Sequence, residues 1–389
     1  MARAGAAARP TVQVDLKAGF AAAAAAGRGP ARIALDMLRL ALGPGRLTPH
    51  EYFFYGLWRP ELELAEKRRF VGLAAQNAIF RKLAEPLSVA LAHDKVAYWA
   101  YMEALGLPTP PVLALYHPTR AAGRVPVLRS AGALAAWLRQ CPVWPCVVKP
   151  VRGMFSDGFC ALQGYDAASD SVRVGSGAIV PVEALAAGLE AGDGWLVQPC
   201  LRPHPAIERL CGARLATLRL VVVLDSGRAR LVKALWKIPA GPNSADNFRH
   251  AGNLLCLLDA EQGRVVRALQ SGPAGPQEVS CHPDSGRLLP GLEVPGFAAA
   301  VETALGAAAA HDWLRLQAWD VAVTNGRVEL LELNVGGDVT LPQLAEGRGF
   351  RDAALEALMA GSGPRARRQP AAPPAAPPAA PLPPRVASC

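Results

Sequence analysis

The chain has 389 residues, of which 51% are hydrophobic and 19% are charged, as in folded rather than disordered proteins. This length can fill two or three subdomains. The formal net charge of +9 comes largely from the two ends, with +3 in residues 1–30 and +4 in residues 361–389. Charge confined to the ends does not indicate a nucleic-acid-binding core, so we expect no nucleic-acid partner.

The eight cysteines are scattered: no two form a CxxC pair, and no two pairs have the spacing of a zinc site. This pattern predicts free thiols in a reducing compartment, and we expect the protein to be cytoplasmic. No apolar run reaches the ~20 residues that a membrane-spanning helix needs, so we expect no membrane span.

The two ends of the chain have low-complexity sequences. Residues 1–30 are rich in alanine, and residues 361–389 contain the run PAAPPAAPPAAPLPP. Both segments are predicted to be disordered tails, the second with polyproline II character. We interpret the proline-rich tail as inert, with docking to a partner as the alternative.

Residues 31–91 are predicted to form a helical region. Ile33, Met37 and Leu40 recur at helical spacing. The sequence Thr48-Pro49-His50-Glu51 has the pattern of a helix start, with Thr48 as N-cap, proline at the first helical position and a capping-box glutamate.

After residue 92, helices alternate with short strands, beginning with a predicted helix from Asp94 to Leu105. The second half is rich in strands. Asp225-Ser226-Gly227 and Thr324-Asn325-Gly326 separate apolar runs and have the composition of β-hairpin turns.

Two lysines are candidates for contacts with phosphate. Lys95 follows Asp94 at the predicted helix start, where the helix dipole favours anions, although a solvated surface lysine is the alternative. Lys149 ends a predicted buried strand, and a buried ammonium requires an anion. The glycines of the following loop, Gly153–Gly158, allow backbone N–H groups to approach a phosphate closely. This loop is neither a Walker loop nor a GxGxxG turn.

Asp320, Glu332 and Asn334 form a second candidate cluster, on two strands predicted to pair as a hairpin. Glu332 and Asn334 are two residues apart and therefore face the same side of the sheet. Asp320 on the partner strand can complete an oxygen-rich wall of the kind that binds Mg²⁺. The alternative is an edge hairpin with solvated acids, which fits less well because both strands are otherwise apolar.

Arg219 lies within the apolar run Thr217–Leu224 and needs an anionic partner. A polyphosphate or an acyl phosphate would serve. A buried salt bridge to a structural acid is the alternative, and the sequence favours neither.

In their order along the chain, these features resemble the ATP-grasp superfamily, and most closely its sugar-transfer-associated branch. The resemblance extends from about Ala31 to Gly349. Its landmarks are Asp94-Lys95, Gly106–Pro110, Val148-Lys149-Pro150 with the loop Gly153–Gly158, Leu196-Val197-Gln198, Thr217-Leu218-Arg219, Asp246-Asn247-Phe248, Gly252, His282-Pro283, Trp319-Asp320 and Leu331-Glu332-Leu333-Asn334.

The resemblance implies an α/β (α+β) fold in which two α+β subdomains clasp a nucleotide, after a helical N-terminal region. We expect residues 92–197 to form the small subdomain, which carries the glycine-rich loop. Residues 198–360 are then expected to form the large subdomain, which carries the metal site.

The resemblance also implies that ATP and Mg²⁺ are bound. Gln198 occupies the position of the first hinge residue, which is usually Glu in this fold, and this departure leaves the hinge backbone to contact the adenine. The residues expected to contact ATP are Lys95, Lys149, Gly153, Met154, Phe155, Ser156, Gly158, Gln198, Pro199 and Cys200. The expected metal ligands are Asp320, Glu332 and Asn334, and the expected catalytic residues are Arg219 and Lys149.

The function implied by the resemblance is that of an ATP-dependent carboxylate–amine ligase. A substrate carboxylate would be activated as an acyl phosphate and then attacked by an amine or another nucleophile. Association with the sugar-transfer branch points to polysaccharide or glycoconjugate modification. An ATP-grasp phosphotransferase and a nucleotide-binding scaffold without turnover are the alternatives.

Overall fold

The structure, a computed structural model, describes residues 15–153, 158–175, 177–189, 193–272, 275–334 and 338–361. The candidate nucleotide contacts Met154, Phe155 and Ser156 and the proline-rich tail lie outside these ranges. Within them, the chain forms helices and two seven-stranded sheets. This confirms the predicted mixed α/β fold class.

Short helices make up the first part of the chain and flank both sheets. In chain order they are α1 (Leu16–Ala25), α2 (Pro30–Ala41), α3 (Pro49–Phe54), α4 (Leu64–Lys67), α5 (Leu73–Leu83), α6 (Ala90–His93), α7 (Lys95–Ala104), α8 (Ala131–Arg139), α9 (Val182–Gly188), α10 (Pro205–Cys211), α11 (Phe297–Ala310), α12 (Thr340–Glu346) and α13 (Ala353–Ala360). The capping box predicted at the start of α3 is present, since Thr48 N donates to Glu51 Oε2 (2.8 Å) and Glu51 N donates to Thr48 Oγ1 (3.3 Å).

Residues 1–30 are predicted to be disordered, and this prediction is wrong for Leu16–Ala25, which form the helix α1. Asp15 caps this helix, and its side chain accepts a hydrogen bond from Lys17 N at 2.9 Å. Gly19 lies so close to the ring of Phe53 that an added Cβ would be 2.6 Å from Phe53 Cγ. Small residues thus allow α1 to pack against α3. The alanines, whose abundance suggested disorder, belong to this packed helix.

The first sheet is built from the middle of the chain. Its strands are β1 (Ala114–Tyr116), β2 (Val127–Leu128), β3 (Cys146–Pro150), β4 (Cys160–Asp166), β5 (Ser171–Val174), β6 (Ile179–Pro181) and β7 (Trp195–Pro199), in the order β2-β1-β7-β3-β4-β5-β6. One face packs on α8 and α9, with Cys146 and Val148 of β3 in that core. Because side chains alternate along a strand, Lys149 points to the opposite face. The predicted subdomain boundary at residue 198 falls inside β7.

The second sheet follows in sequence and is antiparallel throughout. Its strands are β8 (Thr217–Asp225), β9 (Arg228–Ile238), β10 (Leu254–Leu258), β11 (Val265–Gln270), β12 (Gln277–Glu278), β13 (Leu316–Val323) and β14 (Val328–Asn334), in the order β12-β11-β10-β9-β8-β13-β14. The predicted turn at Ser226-Gly227 joins β8 to β9, and both residues have positive φ (52° and 79°), as a two-residue type I′ turn requires.

The two faces of the second sheet differ in polarity. On one face, Leu218, Trp236 and Trp319 belong to a core that also contains residues of α11. On the other face, the register places Lys237 beside Thr217 and places Asp320 between Arg219 and Glu332. Four neighbouring strands, β9, β8, β13 and β14, therefore present a row of charged side chains.

Helix α7 connects the two sheets. Its first residue is tied to the first sheet, because Lys95 N donates to Val151 O at 3.1 Å. Toward the second sheet, Tyr98 Oη donates to Leu330 O at 3.2 Å, and Thr109 Oγ1 donates to the same carbonyl at 3.1 Å. The bonds of Lys95 and Tyr98 thus tie α7 to the residue that follows β3 and to β14.

Among the described helices, none has the length and apolar character that crossing a bilayer requires. The cysteines of the described ranges are all free thiols.

Candidate active site

Lys149 is a half-buried cation without a bonded partner. Within the described ranges, its ammonium forms no hydrogen bond and no ion pair. Burial and the neighbouring charge of Lys95 lower the pKa of Lys149 to about 8, while Glu332 acts in the opposite direction. Lys149 therefore lies close to a second lysine and to a carboxylate of the other sheet. Such a cation favours a bound anion.

Lys95 lies at the first position of α7, as the sequence predicts. Asp94 is the N-cap and accepts hydrogen bonds from Val96 N (3.1 Å) and Ala97 N (3.0 Å). The ammonium of Lys95 donates to Gly153 O at 2.8 Å. This contact ties the start of the glycine-rich loop to the first residue of α7.

Gly158, the last residue of that loop, lies within the described ranges. Its φ is +77°, a conformation that glycine adopts without strain. A side chain there would also be 3.3 Å from both Pro150 and Trp195. Glycine at this position therefore lets the returning chain lie directly on the end of β3.

Gln198, the first residue of the candidate hinge, lies on the same face of the first sheet as Lys149. Gln198 is paired with Val147, two residues before Lys149, so the two polar side chains are on one face. Gln198 is buried and its Nε2 donates to Pro110 O at 2.9 Å. After Pro199, Cys200 N donates to Pro145 O at 2.9 Å. Burial raises the pKa of the Cys200 thiol to about 11, which makes a nucleophilic role unfavourable.

Asp320 lies in the centre of a buried ion cluster in the second sheet. Arg219 Nε donates to Asp320 Oδ1, Arg219 Nη2 donates to Asp320 Oδ2 at 3.0 Å, and Lys237 Nζ donates to Oδ2 at 3.1 Å. Burial alone would raise the pKa of Asp320, but the charges and hydrogen bonds of Arg219 and Lys237 lower it to about 2. Both carboxylate oxygens are therefore occupied by cations.

Two further acids complete the cluster. Arg219 Nη1 donates to Asp338 Oδ2 at 2.6 Å, and Lys237 Nζ is 3.7 Å from Asp246 Oδ1. Burial would lower the pKa of Arg219, but Asp320 and Asp338 raise it. The sequence analysis left two kinds of partner open for Arg219, a phosphate and an acid of the protein. The structure shows acids of the protein as its partners.

Glu332 and Asn334 differ from Asp320 in being free to accept a ligand. Both side chains are partly exposed. Among the described residues, the Glu332 carboxylate has no hydrogen bond or ion pair. Asn334 Nδ2 donates to Ala318 O at 3.3 Å, which leaves its side-chain oxygen as an acceptor. These two residues lie on the same face of β14.

The oxygen donors of this face fit a hard divalent cation in part. The Glu332 carboxylate and the Asn334 amide oxygen are ligand types that Mg²⁺ prefers, and both are available. Asp320 offers the right atoms, but it could coordinate a metal only after exchanging contacts with Arg219 or Lys237. Mg²⁺ would therefore be held first by Glu332 and Asn334.

Lys237 is a site residue that the sequence analysis missed. It lies in the apolar run Ala234-Leu235-Trp236-Lys237-Ile238, and its side chain is buried. The signal was the same as for Arg219, a cation inside a buried strand. Its role depends on its hydrogen bond to Asp320, 83 residues away on β13, and the sequence does not specify that β13 lies beside β8.

A family model described as "Sugar-transfer associated ATP-grasp" matches residues 76–358, which is most of the chain. The match confirms the family suggested by the sequence landmarks. No curated protein sequence matches the chain significantly.

Solved structures of ligases are similar at low identity. D-alanyl-alanine synthetase A from Vibrio cholerae is 15% identical, with 72% of this chain and 67% of that chain covered and a TM-score of 0.42. L-amino acid ligase from Bacillus licheniformis is 12% identical over 70% of this chain, with a TM-score of 0.39, and the match spans 48% of its length. D-alanine–D-alanine ligase from Bacillus anthracis is 13% identical, with 74% of each chain covered and a TM-score of 0.40.

Proposed function

Because the chain belongs to the sugar-transfer-associated ATP-grasp family, we propose that it is an ATP- and Mg²⁺-dependent ligase. It activates a substrate carboxylate as an acyl phosphate and joins it to an amine or another nucleophile. The proposal takes residues 92–197 and 198–360 as the two subdomains that clasp the nucleotide.

One observation carries this proposal. Among the described residues, the Lys149 ammonium of the first sheet and the Glu332 carboxylate of the second have no bonded partner. Helix α7 is hydrogen-bonded to Val151 and Leu330, which lie two residues from them in sequence. Their N···O separation exceeds the 4.0 Å of an ion pair, so within the described residues they do not neutralise each other. A triphosphate with its magnesium ion supplies the missing charges for both groups.

The proposed ATP contacts are those that the family resemblance implies. Lys95 and Lys149 neutralise phosphate oxygens, and the glycines Gly153 and Gly158 allow the backbone to approach those phosphates closely. The segment from Gln198 through Pro199 to Cys200 contacts the adenine. Because the Gln198 side chain is bonded to Pro110 O, the backbone of this segment presents the hydrogen-bonding groups.

The chemistry needs no protein nucleophile. An oxygen of the substrate carboxylate attacks the γ-phosphorus of ATP, the bond to the β-γ bridging oxygen breaks, and ADP leaves. The nucleophile then attacks the acyl carbon, loses a proton and displaces inorganic phosphate. Lys149 stabilises the transferring phosphoryl group, and Arg219 acts through the acids that it holds, Asp320 and Asp338, on the charged face of the second sheet. Bound Mg²⁺ would supply further charge neutralisation at the phosphates, held by Glu332 and Asn334 and, after exchange, by Asp320.

The affinity for the nucleotide is expected to fall above about pH 8. Lys149 has a lowered pKa of about 8 in the free protein, and a triphosphate binds the protonated form better. Affinity is therefore highest below that pH and decreases by at most about tenfold per unit above it. Calorimetric titration with a non-hydrolysable ATP analogue and Mg²⁺, from about pH 7 to about pH 9.5, measures the profile. Lys149→Arg, whose guanidinium stays charged, should flatten it, and a flat wild-type profile would contradict the assignment.

An ADP-release screen tests the proposed function. ATP and Mg²⁺ are combined with pairs from a panel of amino acids, amino sugars and uronic acids, and products are identified by mass spectrometry. ADP release that requires both a carboxylate and a nucleophile, with formation of the joined product, is the expected result. A phosphorylated product that persists without a nucleophile would assign a phosphotransferase instead. ATP binding without ADP release across the whole panel would favour a scaffold.

A further inference from the structure

Helix α2 has two apolar sides, and one of them faces solvent. Ile33 and Leu40 are buried in the N-terminal core. Leu35, Leu38 and Leu42 are 40%, 57% and 81% exposed. Their spacing of three and four residues aligns them along one side of the helix and its C-cap. Single exposed leucines are ordinary, whereas these three form a continuous apolar stripe.

The charges beside this leucine stripe are positive. Arg32 and Arg39 lie on the exposed part of α2, and the Arg32 side chain is 60% exposed. Asp36, the acid of this helix, is buried, accepts a hydrogen bond from Lys67 Nζ at 2.7 Å and lies 3.8 Å from Arg32 Nε, so Lys67 and Arg32 together balance its charge. The exposed side of α2 is therefore apolar in its centre and cationic at its flank.

The stripe continues into a cavity of about 590 Å³ between α2, α5 and α13. Leu42 belongs to both, and Ile79 and Met359 line the apolar part of the cavity wall. Four charged residues also line it: Arg351 is ion-paired with Glu356, whereas Arg46 and Lys82 form no ion pair with a described residue. An apolar stripe thus leads to a pair of cations with space beside them.

We propose that α2 and this cavity dock on an anionic phospholipid bilayer. The leucines enter the acyl-chain boundary, Arg32 and Arg39 contact lipid phosphates, and Arg46 and Lys82 hold one phosphate headgroup at the cavity. The positive flank provides the charge complementarity, because such a helix binds anionic lipid through apolar burial together with electrostatic attraction. The surface is separate from the nucleotide site, so this inference holds or fails independently of the proposed ligase activity.

Co-sedimentation of the full-length protein with vesicles tests the proposal. One set of vesicles contains phosphatidylcholine alone, and the other contains equal parts of phosphatidylcholine and phosphatidylglycerol. We expect binding to the mixed vesicles only, and weaker binding as salt is raised. Replacement of Leu35, Leu38 and Leu42 together by Ser should weaken it by at least about tenfold. Arg32→Gln and Arg39→Gln should each weaken it by about fivefold.

Matched controls are available on the second sheet and its loops. Leu288 is 62% exposed and Arg228 is exposed, so Leu288→Ser and Arg228→Gln change the same residue types away from α2 and should bind vesicles like wild type. The charge reversal Arg32→Glu with Arg39→Glu provides a second variant should the leucine variant fail to fold. Absence of wild-type binding, or equal binding by all variants, would overturn the proposal. A solution dimer that the serine variant abolishes, without vesicle binding, would assign the surface to a second copy and also overturn it.

Discussion

Glu332→Gln is expected to lower Mg²⁺-dependent ADP formation by on the order of 10³-fold while leaving the free energy of unfolding unchanged. The carboxylate is partly exposed and has no bonded partner among the described residues, so its neutralisation removes no internal contact there. It does remove the anionic ligand of the proposed metal site. Strengthening of ATP-analogue binding by Mg²⁺ should be lost in parallel, as measured by calorimetric titration with and without the metal.

Glu278→Gln is the matched control for this substitution. Glu278 lies at the other edge of the same sheet, and its exposed ion pair with Arg267 (2.9 Å) contributes little to stability. It should keep full activity and full metal dependence. If Glu332→Gln kept the metal dependence of nucleotide binding, the metal site would have to be placed elsewhere.

Asp320→Asn is expected to have a different effect, a loss of about 3–5 kcal/mol in the free energy of unfolding. The substitution leaves the buried cations Arg219 and Lys237 without the carboxylate that contacts both. Chemical denaturation measures the loss. Because the pKa of Asp320 is lowered to about 2, its stabilising contribution is complete above about pH 4 and disappears as the pH falls toward 2.

Two variants separate this effect from a general disturbance of the cluster. Asp338 is the more exposed partner of Arg219, with 33% of its side chain accessible. Asp338→Asn should therefore lower the free energy of unfolding by less than about 1 kcal/mol. In the Asp320→Asn variant, Lys237 is a buried cation without the carboxylate of Asp320. Adding Lys237→Met removes this cation and should recover part of the lost free energy of unfolding. A single Asp320→Asn variant as stable as wild type would contradict the buried-cluster account.

This contrast matters for any mutagenesis of the site. Asp320 and Glu332 are neighbours in register and were both predicted as metal ligands. Both oxygens of Asp320 accept hydrogen bonds from cations, whereas the Glu332 carboxylate has no hydrogen bond or ion pair among the described residues. Loss of activity in an Asp320 variant would therefore not identify a metal ligand, whereas loss in a Glu332 variant would.

Much of the local structure could be predicted from the sequence. The capping box at Thr48, the helix start at Asp94 and the turn at Ser226-Gly227 depend on residues close together in the chain, where side-chain chemistry determines backbone geometry. Lys149 and Glu332 were identified as candidate site residues because a charged side chain on an apolar strand needs a partner.

Long-range pairing was beyond such reasoning. Arg219 and Asp320 are bonded across strands that lie 101 residues apart in sequence, and nothing local specifies that β8 lies beside β13. For the same reason Lys237 was missed, and the partner of Arg219 was left open. The helix α1 was missed because its alanines and Gly19 pack through close contact, which leaves no amphipathic pattern to detect.

The central claim is that one nucleotide joins the two sheets. A crystal structure of the protein with Mg²⁺ and a non-hydrolysable ATP analogue tests it most directly. We predict phosphate oxygens within hydrogen-bonding distance of Lys95 and Lys149, and a magnesium ion bound by Glu332 and Asn334. A nucleotide bound to one sheet alone, or away from Lys149 and Glu332, would contradict the account.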